Sequence, residues 1–234
     1  MLPTSPLDLL PDVGVLLAAA GRGNRVGGSA PKQFQSIGGV PMLLRAIRPF
    51  AAHPRVHEIV VALPPAQALA PPDWLRDVLG GRLRIVQGGA TRAASVRCAL
   101  HALQPACRLV LVHDAARPFV STAEIDAVIA AAEQGAGALV AIPVSDTLKR
   151  SEDGRRVVDT PSRAGLYRAL TPQAFPRAML EAAYEAAGDW LDATDDAGLV
   201  EAMGGTVVLV PGHSTNIKVT TPDDFRLAEA LAVS

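Results

Sequence analysis

Short apolar runs alternate with longer amphipathic, alanine-rich segments from Val13 to Ile142. Runs of valine, isoleucine and leucine are typical of buried strands, and the longer segments have the apolar spacing of helices. The predicted strands are Val13–Ala18, Glu58–Ala62, Leu83–Val86, Leu109–Val112 and Ala138–Ile142, and the predicted helices are Met42–Ala52, Asp73–Leu79, Arg92–Leu103 and Thr122–Glu133. This repeated alternation indicates an α/β fold with a doubly wound, mostly parallel sheet.

Local signals place several helix starts. Ser121 with Glu124 three residues later is typical of a capping box, and Pro41 and Pro222 suit the first turn of a helix. The remaining predicted elements are helices at Pro176–Ala187, Asp195–Met203 and Asp223–Leu231 and a strand at Thr206–Val210.

The alternation stops after Val144. Residues Ser145–Thr160 predict two short polar strands around the Asp153-Gly154 turn, a hairpin with too little apolar surface to fold alone. We therefore expect a single domain over residues 1–234, with no fused second catalytic domain. An arm at about 145–168 should protrude from it and pack against a second copy of the chain, forming a homodimer.

Composition and charge narrow the function classes. The chain has 234 residues, 49% hydrophobic and 4% aromatic, so alanine, valine and leucine must form most of the core. A net charge of -1 argues against a general nucleic-acid or membrane-surface binder. The two cysteines, Cys98 and Cys107, lack zinc-ligand spacing and are interpreted as structural thiols. No apolar run approaches the ~20 residues that span a bilayer, so we expect a cytoplasmic protein.

A glycine-rich loop follows the first predicted strand and ends at Lys32. Gly21 and Gly23 would let backbone N–H groups approach an anion, and Arg25 and Lys32 could reach its oxygens from two sides. The loop departs from both the Walker pattern and the dinucleotide fingerprint, which argues against a kinase or a dehydrogenase. A polyphosphate cradle and a plain glycine turn are the two interpretations that remain.

Polar residues also follow the strand Leu109–Val112. Ligands of open α/β sheets bind at the carboxyl ends of strands, where Asp114 could accept hydrogen bonds from a ribose or hold a divalent ion. An ion pair between Asp114 and Arg117 that closes a turn is the alternative. His113 is expected to be a packed histidine rather than a ligand.

Two further segments are ambiguous by themselves. Gly88 and Gly89 precede a helix start, where exposed N–H groups and Ser95 could contact a base edge, but an ordinary helix N-terminus fits equally well. Lys218 lies on a predicted short strand, and a solvated surface lysine is the simpler interpretation.

Taken together and in order, the motifs resemble the 2-C-methyl-D-erythritol 4-phosphate cytidylyltransferase family over about residues 13 to 231. The motifs are Leu17-Ala18-Ala19-Ala20-Gly21 with Arg25, Pro31-Lys32-Gln33, Gly88-Gly89, Arg92, Ser95-Val96, His113-Asp114-Ala115-Ala116-Arg117-Pro118, Asp146-Thr147, Leu170-Thr171-Pro172-Gln173, Thr194-Asp195-Asp196 and Asn216-Ile217-Lys218-Val219-Thr220. The resemblance implies a Rossmann-like nucleotidyltransferase fold, CMP transfer from CTP to a polyol phosphate with release of pyrophosphate, Mg²⁺, and a homodimer joined by the arm.

The resemblance also implies roles for individual residues. The catalytic cations would be Arg25, Lys32 and Lys218. Nucleotide-binding positions would be Ala19, Ala20, Gly21, Gly23, Gly88, Gly89, Arg92, Ser95, Asp114 and Ala115, with Asp114 also the candidate metal ligand. Positions for the second substrate would be Arg117, Thr147, Arg163, Thr171 and Asp195, with arm residues reaching the partner's site. Val26 departs from the methionine of many relatives, which changes packing and not charge.

Two alternatives remain at this point. A ribitol 5-phosphate cytidylyltransferase, or another polyol-phosphate nucleotidyltransferase, would have similar loops. A non-catalytic nucleotide sensor would bind CTP in the same cleft without releasing pyrophosphate. The presence of both Lys32 and Lys218 favours an enzyme, because binding alone does not need cations at the α-phosphate.

Overall fold

The computed structural model describes residues 11–21, 31–76, 78, 81–188 and 193–233. In chain order its elements are β1 (Val13–Ala18), a short 3₁₀ helix (Lys32–Phe34), β2 (Ser36–Ile37), β3 (Val40–Pro41), α1 (Met42–Ala52), β4 (Val56–Leu63), α2 (Pro65–Leu69), α3 (Asp73–Arg76), β5 (Leu83–Gln87), α4 (Arg92–Ala102), β6 (Leu109–Asp114), α5 (Thr122–Ala132), β7 (Gly137–Pro143), β8 (Tyr167–Pro176), α6 (Arg177–Ala187), α7 (Asp196–Ala202), β9 (Val207–Pro211) and α8 (Pro222–Ala232). Among these ranges, no helix combines the length and apolar character needed to cross a membrane.

The main sheet has seven strands in the order β5-β4-β1-β6-β8-β7-β9. β1 pairs in parallel with β4 and with β6, and β4 pairs in parallel with β5. β7 pairs in parallel with β9. β8 runs antiparallel to both of its neighbours. The predicted α/β fold with a doubly wound, mostly parallel sheet is therefore confirmed.

β8 was not predicted. Its first residues are exposed and it contains Pro172, which weakens the sequence signal of a strand. After β6 the chain passes through α5 to β7, which does not pair with β6 in the sheet. β8 then lies between these two strands and pairs with both. As a result Gln173 is the register partner of Val112, and Thr171 comes close to the carboxyl end of β6.

Helices cover both faces of the sheet, so the central strands are buried on both sides. On one face, Leu17 and Leu111 pack with Phe50 of α1 and Ile125 of α5. On the other face the packed side chains include Leu16, Val60, Val110, Val112, Val96 and Leu100 of α4, and Leu180 of α6. Small and branched aliphatic residues fill this core, as the composition predicts.

The predicted helix starts are mostly confirmed. Ser121 and Glu124 form a complete capping box at α5, and Pro222 occupies the first turn of α8. Pro41 is instead the N-cap residue of α1 and ends β3. A second capping box, between Thr221 and Asp224 at α8, was not predicted.

The predicted hairpin at Ser145–Thr160 is wrong in its detail. Instead of two strands, the described structure has a single antiparallel bridge between Arg150 and Asp159. The turn is held by Asp153, whose Oδ1 accepts hydrogen bonds from the N–H groups of Arg155 and Arg156, both at 2.8 Å. Polar side chains supply too little cross-strand packing to extend the ladder.

Candidate active site

Asp114 ends β6 at the carboxyl edge of the sheet, beside Ala18 of β1. Its Oδ1 lies 2.9 Å from Nε of Arg92, and its Oδ2 lies 2.7 Å from Nζ of Lys218. Burial by itself would raise the pKa of Asp114, but the charges of Arg92 and Lys218 outweigh burial and lower that pKa well below its usual range. The carboxylate is therefore ionised at neutral pH.

Arg92 links Asp114 to a second buried carboxylate. Its Nη1 lies 2.8 Å from Oδ2 of Asp196, whose Oδ1 accepts a 2.6 Å hydrogen bond from the hydroxyl of Tyr184. Burial opposes the charge of Arg92, yet Asp196 and Asp114 together raise the pKa of its guanidinium. Nη2 of Arg92 is buried and has no hydrogen-bond partner among the described residues.

Arg117 lies on the loop that follows β6, three residues after Asp114. Its Nε is 4.0 Å from Oδ2 of Asp114, and its Nη1 donates a 2.8 Å hydrogen bond to the carbonyl oxygen of Asn216. The turn itself is closed by the backbone, from the N–H of Arg117 to the carbonyl of Asp114 at 2.9 Å. Among the described residues three cations contact Asp114, and the ion pair considered from the sequence is the longest of these contacts.

His113 is fully buried, as predicted for a packed histidine. Its Nε2 donates to the carbonyl oxygen of Arg117 at 3.0 Å, because a carbonyl can only accept. Nδ1 then accepts from the hydroxyl of Thr171 at 2.9 Å, and the same Oγ1 accepts the N–H of Asp114 at 3.1 Å. Thr171, predicted to contact substrate, here orients the end of β6.

Lys32 and Lys218 come together although the chain separates them widely. Nζ of Lys32 donates a 2.6 Å hydrogen bond to the carbonyl oxygen of Val219. The neighbouring Gln33 donates from Nε2 to the carbonyl oxygen of Ala19 at 2.8 Å, which fixes the 3₁₀ helix against the end of β1. The segment that carries Lys218 is not the predicted strand but an irregular stretch, held by a 2.8 Å bond from Val219 N–H to the Ala116 carbonyl.

Gly88 and Gly89 pack tightly between the end of β1 and the start of α4. A Cβ on Gly88 would lie 2.3 Å from Cβ of Ala20 and 2.9 Å from Oγ of Ser95, so only glycine fits. Ser95 is 2% exposed, and its hydroxyl accepts the N–H of Gly89 at 3.1 Å and donates to the Thr91 carbonyl at 2.8 Å. Ser95 thus shapes the turn, and its contact with a base stays a prediction.

The remaining predicted nucleotide positions lie on or beyond the ends of β1 and β6. Ala19 and Ala115 are buried, and their N–H groups bond to Ala62 and Ala18 across the sheet. Gly21 is exposed at the end of a described range. The predictions for Gly23 and Arg25 lie outside the described residues.

Asp195, predicted to contact substrate, is the N-cap of α7. Its Oδ1 accepts the N–H of Gly198 at 3.0 Å, and its Oδ2 accepts a 2.8 Å bond from Nε2 of Gln173. Oε1 of Gln173 accepts the N–H groups of Asp196 and Ala197 at 3.1 and 3.0 Å. Gln173 therefore fixes the start of α7 and with it the carboxylate that holds Arg92, a role that the sequence alone did not reveal.

Thr147 and Arg163 lie apart from this cluster. Both are exposed on the segment 145–168, where Nη1 of Arg163 donates to the carbonyl oxygen of Ser145. Within the described part of the chain, no hydrogen bond or ion pair joins either residue to Asp114 and its cations. The structure does not bring these two predicted residues to the site of their own chain.

A metal is compatible with one carboxylate of this cluster. The described ranges contain no group of three or more histidine, cysteine or acidic side chains that could hold an ion. Mg²⁺ in nucleotide sites is commonly held by one or two carboxylates together with substrate phosphates. Asp114 is ionised, and because its two oxygens are paired with Arg92 and Lys218, an ion that it held would replace one of these two contacts.

Known proteins resemble this chain over most of its length. The family model described as 2-C-methyl-D-erythritol 4-phosphate cytidylyltransferase matches residues 13–233. A protein of that name from Salinibacter ruber is 45% identical over 221 residues, which cover 94% of this chain and 92% of the relative. Another, from Streptomyces coelicolor, is 46% identical over 226 residues, covering 92% of this chain and 83% of the relative.

Solved structures give the same result. The crystal structure of 2-C-methyl-D-erythritol 4-phosphate cytidylyltransferase from Thermus thermophilus superposes with a TM-score of 0.80 at 40% identity. The match covers 95% of this chain and 100% of that chain.

Proposed function

The chain belongs to the 2-C-methyl-D-erythritol 4-phosphate cytidylyltransferase family, and from that premise we propose how its residues perform the reaction. The enzyme transfers a cytidylyl group from CTP to 2-C-methyl-D-erythritol 4-phosphate in isoprenoid biosynthesis. The observation that carries the mechanism is the cluster of Lys218, Arg92 and Arg117 around Asp114, with Lys32 held to the Val219 carbonyl next to Lys218.

The nucleophile needs no general base. A phosphate monoester has its second pKa near 6, so it is largely dianionic at neutral pH. One of its oxygens attacks the α-phosphorus of CTP, the new P–O bond forms, and the bond to the β-phosphate oxygen breaks to release pyrophosphate. Because no proton has to leave the nucleophile, the buried neutral His113 is free to serve a structural role.

The energetic difficulty is the approach of two anions. Lys32 and Lys218 place positive charge where charge accumulates on the α-phosphate, and Arg25 would add to it by the resemblance. The side chain of Lys218 is 45% exposed and paired with Asp114, so phosphate oxygens of a bound nucleotide can compete for its ammonium. Mg²⁺, held with the help of Asp114, would supply further positive charge on the phosphates when bound.

The segment 145–168 supports a homodimer. It exposes apolar side chains at Val157, Val158, Leu166 and Tyr167, of which Val157 is 60% exposed. Exposed apolar groups on a polar arm are suited to burial against a second copy of the chain. In such a dimer Thr147 and Arg163 would serve the partner's site, which accounts for their separation from Asp114 in their own chain.

The test is a substrate comparison with purified protein, CTP and Mg²⁺. We expect pyrophosphate and a CDP-linked product with 2-C-methyl-D-erythritol 4-phosphate, and at least about tenfold lower kcat/KM with ribitol 5-phosphate. Faster turnover with ribitol 5-phosphate would assign the enzyme to that acceptor. Isothermal titration calorimetry measures the binding of CTP. If a CTP concentration that saturates the protein gives no pyrophosphate with either acceptor, the protein is a nucleotide sensor.

A further inference from the structure

Glu124 uses both of its carboxylate oxygens, although capping a helix needs only one. The residue is 1% exposed. Oε2 accepts the N–H of Ser121 at 2.9 Å and its hydroxyl at 3.0 Å, which completes the capping box of α5. Oε1 accepts the N–H of His213 at 3.0 Å and Nδ2 of Asn216 at 3.3 Å. The second pair of bonds ties α5 to the segment 212–219.

This segment carries or contacts three of the cations at the site. The carbonyl oxygen of Asn216 accepts a 2.8 Å bond from Arg117, and Nζ of Lys218 lies 2.7 Å from Asp114. The carbonyl oxygen of Val219 accepts the 2.6 Å bond from Lys32. A displacement of the segment would therefore move Lys218 and remove anchors of Arg117 and Lys32 at the same time.

The segment begins in close contact with the sheet. A Cβ on Gly212 would lie 2.5 Å from Cγ1 of Val140 and 3.4 Å from Oε1 of Glu124. The N–H of Gly212 bonds to the Ala141 carbonyl at 2.9 Å. Along the chain, Glu124 is thus the next anchor after β9, through its bond to the N–H of His213. The bond from Nδ2 of Asn216 to the Thr171 carbonyl at 2.9 Å follows three residues later.

We propose that Glu124 is a positioning residue for cytidylyl transfer. It lies outside the reacting groups and acts through His213 and Asn216, which set the path of the chain to Lys218. The expected loss of kcat rests on the proposed function. The expected change in amide exchange concerns only the path of residues 212–219.

The second capping box of the protein supports a role beyond capping. At α8, Oδ2 of Asp224 accepts the N–H of Thr221 at 2.8 Å, so aspartate is long enough to complete such a box. Oδ2 of Asp224 also accepts the N–H and the hydroxyl of the adjacent Thr220, whereas Glu124, with one more methylene, uses its second oxygen for donors of the distant segment 212–219. The substitution Glu124→Asp should therefore keep the charge and the cap but lose the bonds to His213 and Asn216.

A matched control removes the two bonds of the Ser121 hydroxyl, to Oε2 and from the N–H of Glu124, while the N–H of Ser121 still donates to Oε2. Ser121→Ala deletes the capping hydroxyl of the same helix and leaves Oε1 of Glu124 on the segment. Both variants weaken α5 or its surroundings, so thermal unfolding measures their general cost. Steady-state kinetics and amide hydrogen exchange of residues 212–219 then measure the specific effect.

We expect Glu124→Asp to lower kcat roughly 10- to 100-fold, since small misplacements of catalytic groups have effects of this size. KM for CTP should change less than about threefold, and the His213 and Val219 amides should exchange faster. Ser121→Ala should have the kcat of the wild type. The amides of residues 212–219 should exchange as slowly in this variant as in the wild type.

Wild-type kcat in Glu124→Asp, or equal loss of kcat in both variants at equal thermal stability, would overturn the positioning role. Failure of the wild-type protein to release pyrophosphate would instead overturn the proposed function and the catalytic consequence with it. Unchanged exchange of residues 212–219 in Glu124→Asp would overturn the structural tie whatever the activity.

Discussion

Nζ of Lys32 and the carbonyl oxygen of Val219 are joined by a 2.6 Å hydrogen bond across 187 residues of sequence. Val219 directly follows Lys218, so this bond brings the two predicted catalytic lysines into one cluster. The bond also gives Lys32 a partner inside the protein before any nucleotide arrives. The site is thus assembled by the fold and does not depend on substrate to bring these two segments together.

The first prediction concerns Lys32. Lys32→Ala should lower kcat at least about 100-fold, because removal of a preorganised donor at a charged transition state costs on the order of 2–4 kcal/mol. Steady-state pyrophosphate release measures the effect, and circular dichroism checks the fold. The matched control is Arg48→Ala, which removes an exposed cation of α1 and should leave kcat unchanged. Near-normal turnover by Lys32→Ala would contradict the role.

Gly88→Ala tests the close packing next to the nucleotide positions. The new Cβ would lie 2.3 Å from Cβ of Ala20, so the turn must shift, and overpacking of this kind costs about 1–3 kcal/mol. Urea unfolding should show the loss, and KM for CTP should rise. Gly21→Ala is the control for stability, because a Cβ there meets no atom of the described residues within 4 Å. Equal stability of the two variants would show that the contact at Gly88 is relieved without cost.

His113 makes the stability of the protein depend on pH. Burial is the largest cause that lowers the pKa of His113 from 6.5 to about 4 in the folded state. Between these two values the unfolded chain binds a proton that the folded chain does not, so the free energy of unfolding must fall as pH falls. The full difference corresponds to about 3 kcal/mol, lost between pH 6.5 and 4.

Urea unfolding at a series of pH values checks this effect. His113→Gln should flatten the dependence in that window even if the variant is less stable at every pH. Below about pH 4 the ionised carboxylates, including Asp114, begin to dominate, so the comparison belongs above that value. An identical slope in the wild type and in His113→Gln would show that other groups cause the dependence.

The sequence predicted the strands whose signal is local. β1 and β6 are continuous apolar runs, and the position of Asp114 at the site follows from the geometry of parallel sheets, whose ligands bind at the carboxyl ends of the strands. β8 was missed because its signal is weak locally and its place depends on the position left open between β6 and β7. Tertiary pairing, rather than propensity, determines that strand.

The same distinction applies to the site. Asp114 and Arg117 could be selected because charged residues at the end of an apolar strand are visible in sequence, whereas Lys218 was selected only through the family resemblance. Their partners could not be assigned, since the bridge from Arg92 to Asp196 joins residues 104 positions apart. The structural tasks of Gln173 and Glu124 likewise depend on loops whose paths no local pattern fixes.

The last prediction tests whether the arm acts in its own chain or in a partner. Arg163 is exposed on the segment 145–168, whereas Lys218 lies at the Asp114 cluster. Arg163→Ala and Lys218→Ala should each be nearly inactive as pure proteins.

If the arm reaches the partner's site, a hybrid dimer has both defects in one site and none in the other. Mixing equal amounts after dissociation should then restore about a quarter of wild-type activity, as random pairing requires. If Arg163 serves its own chain, every site in the mixture has one defect and no activity returns. A fully active monomer in sedimentation analysis would also contradict the shared site.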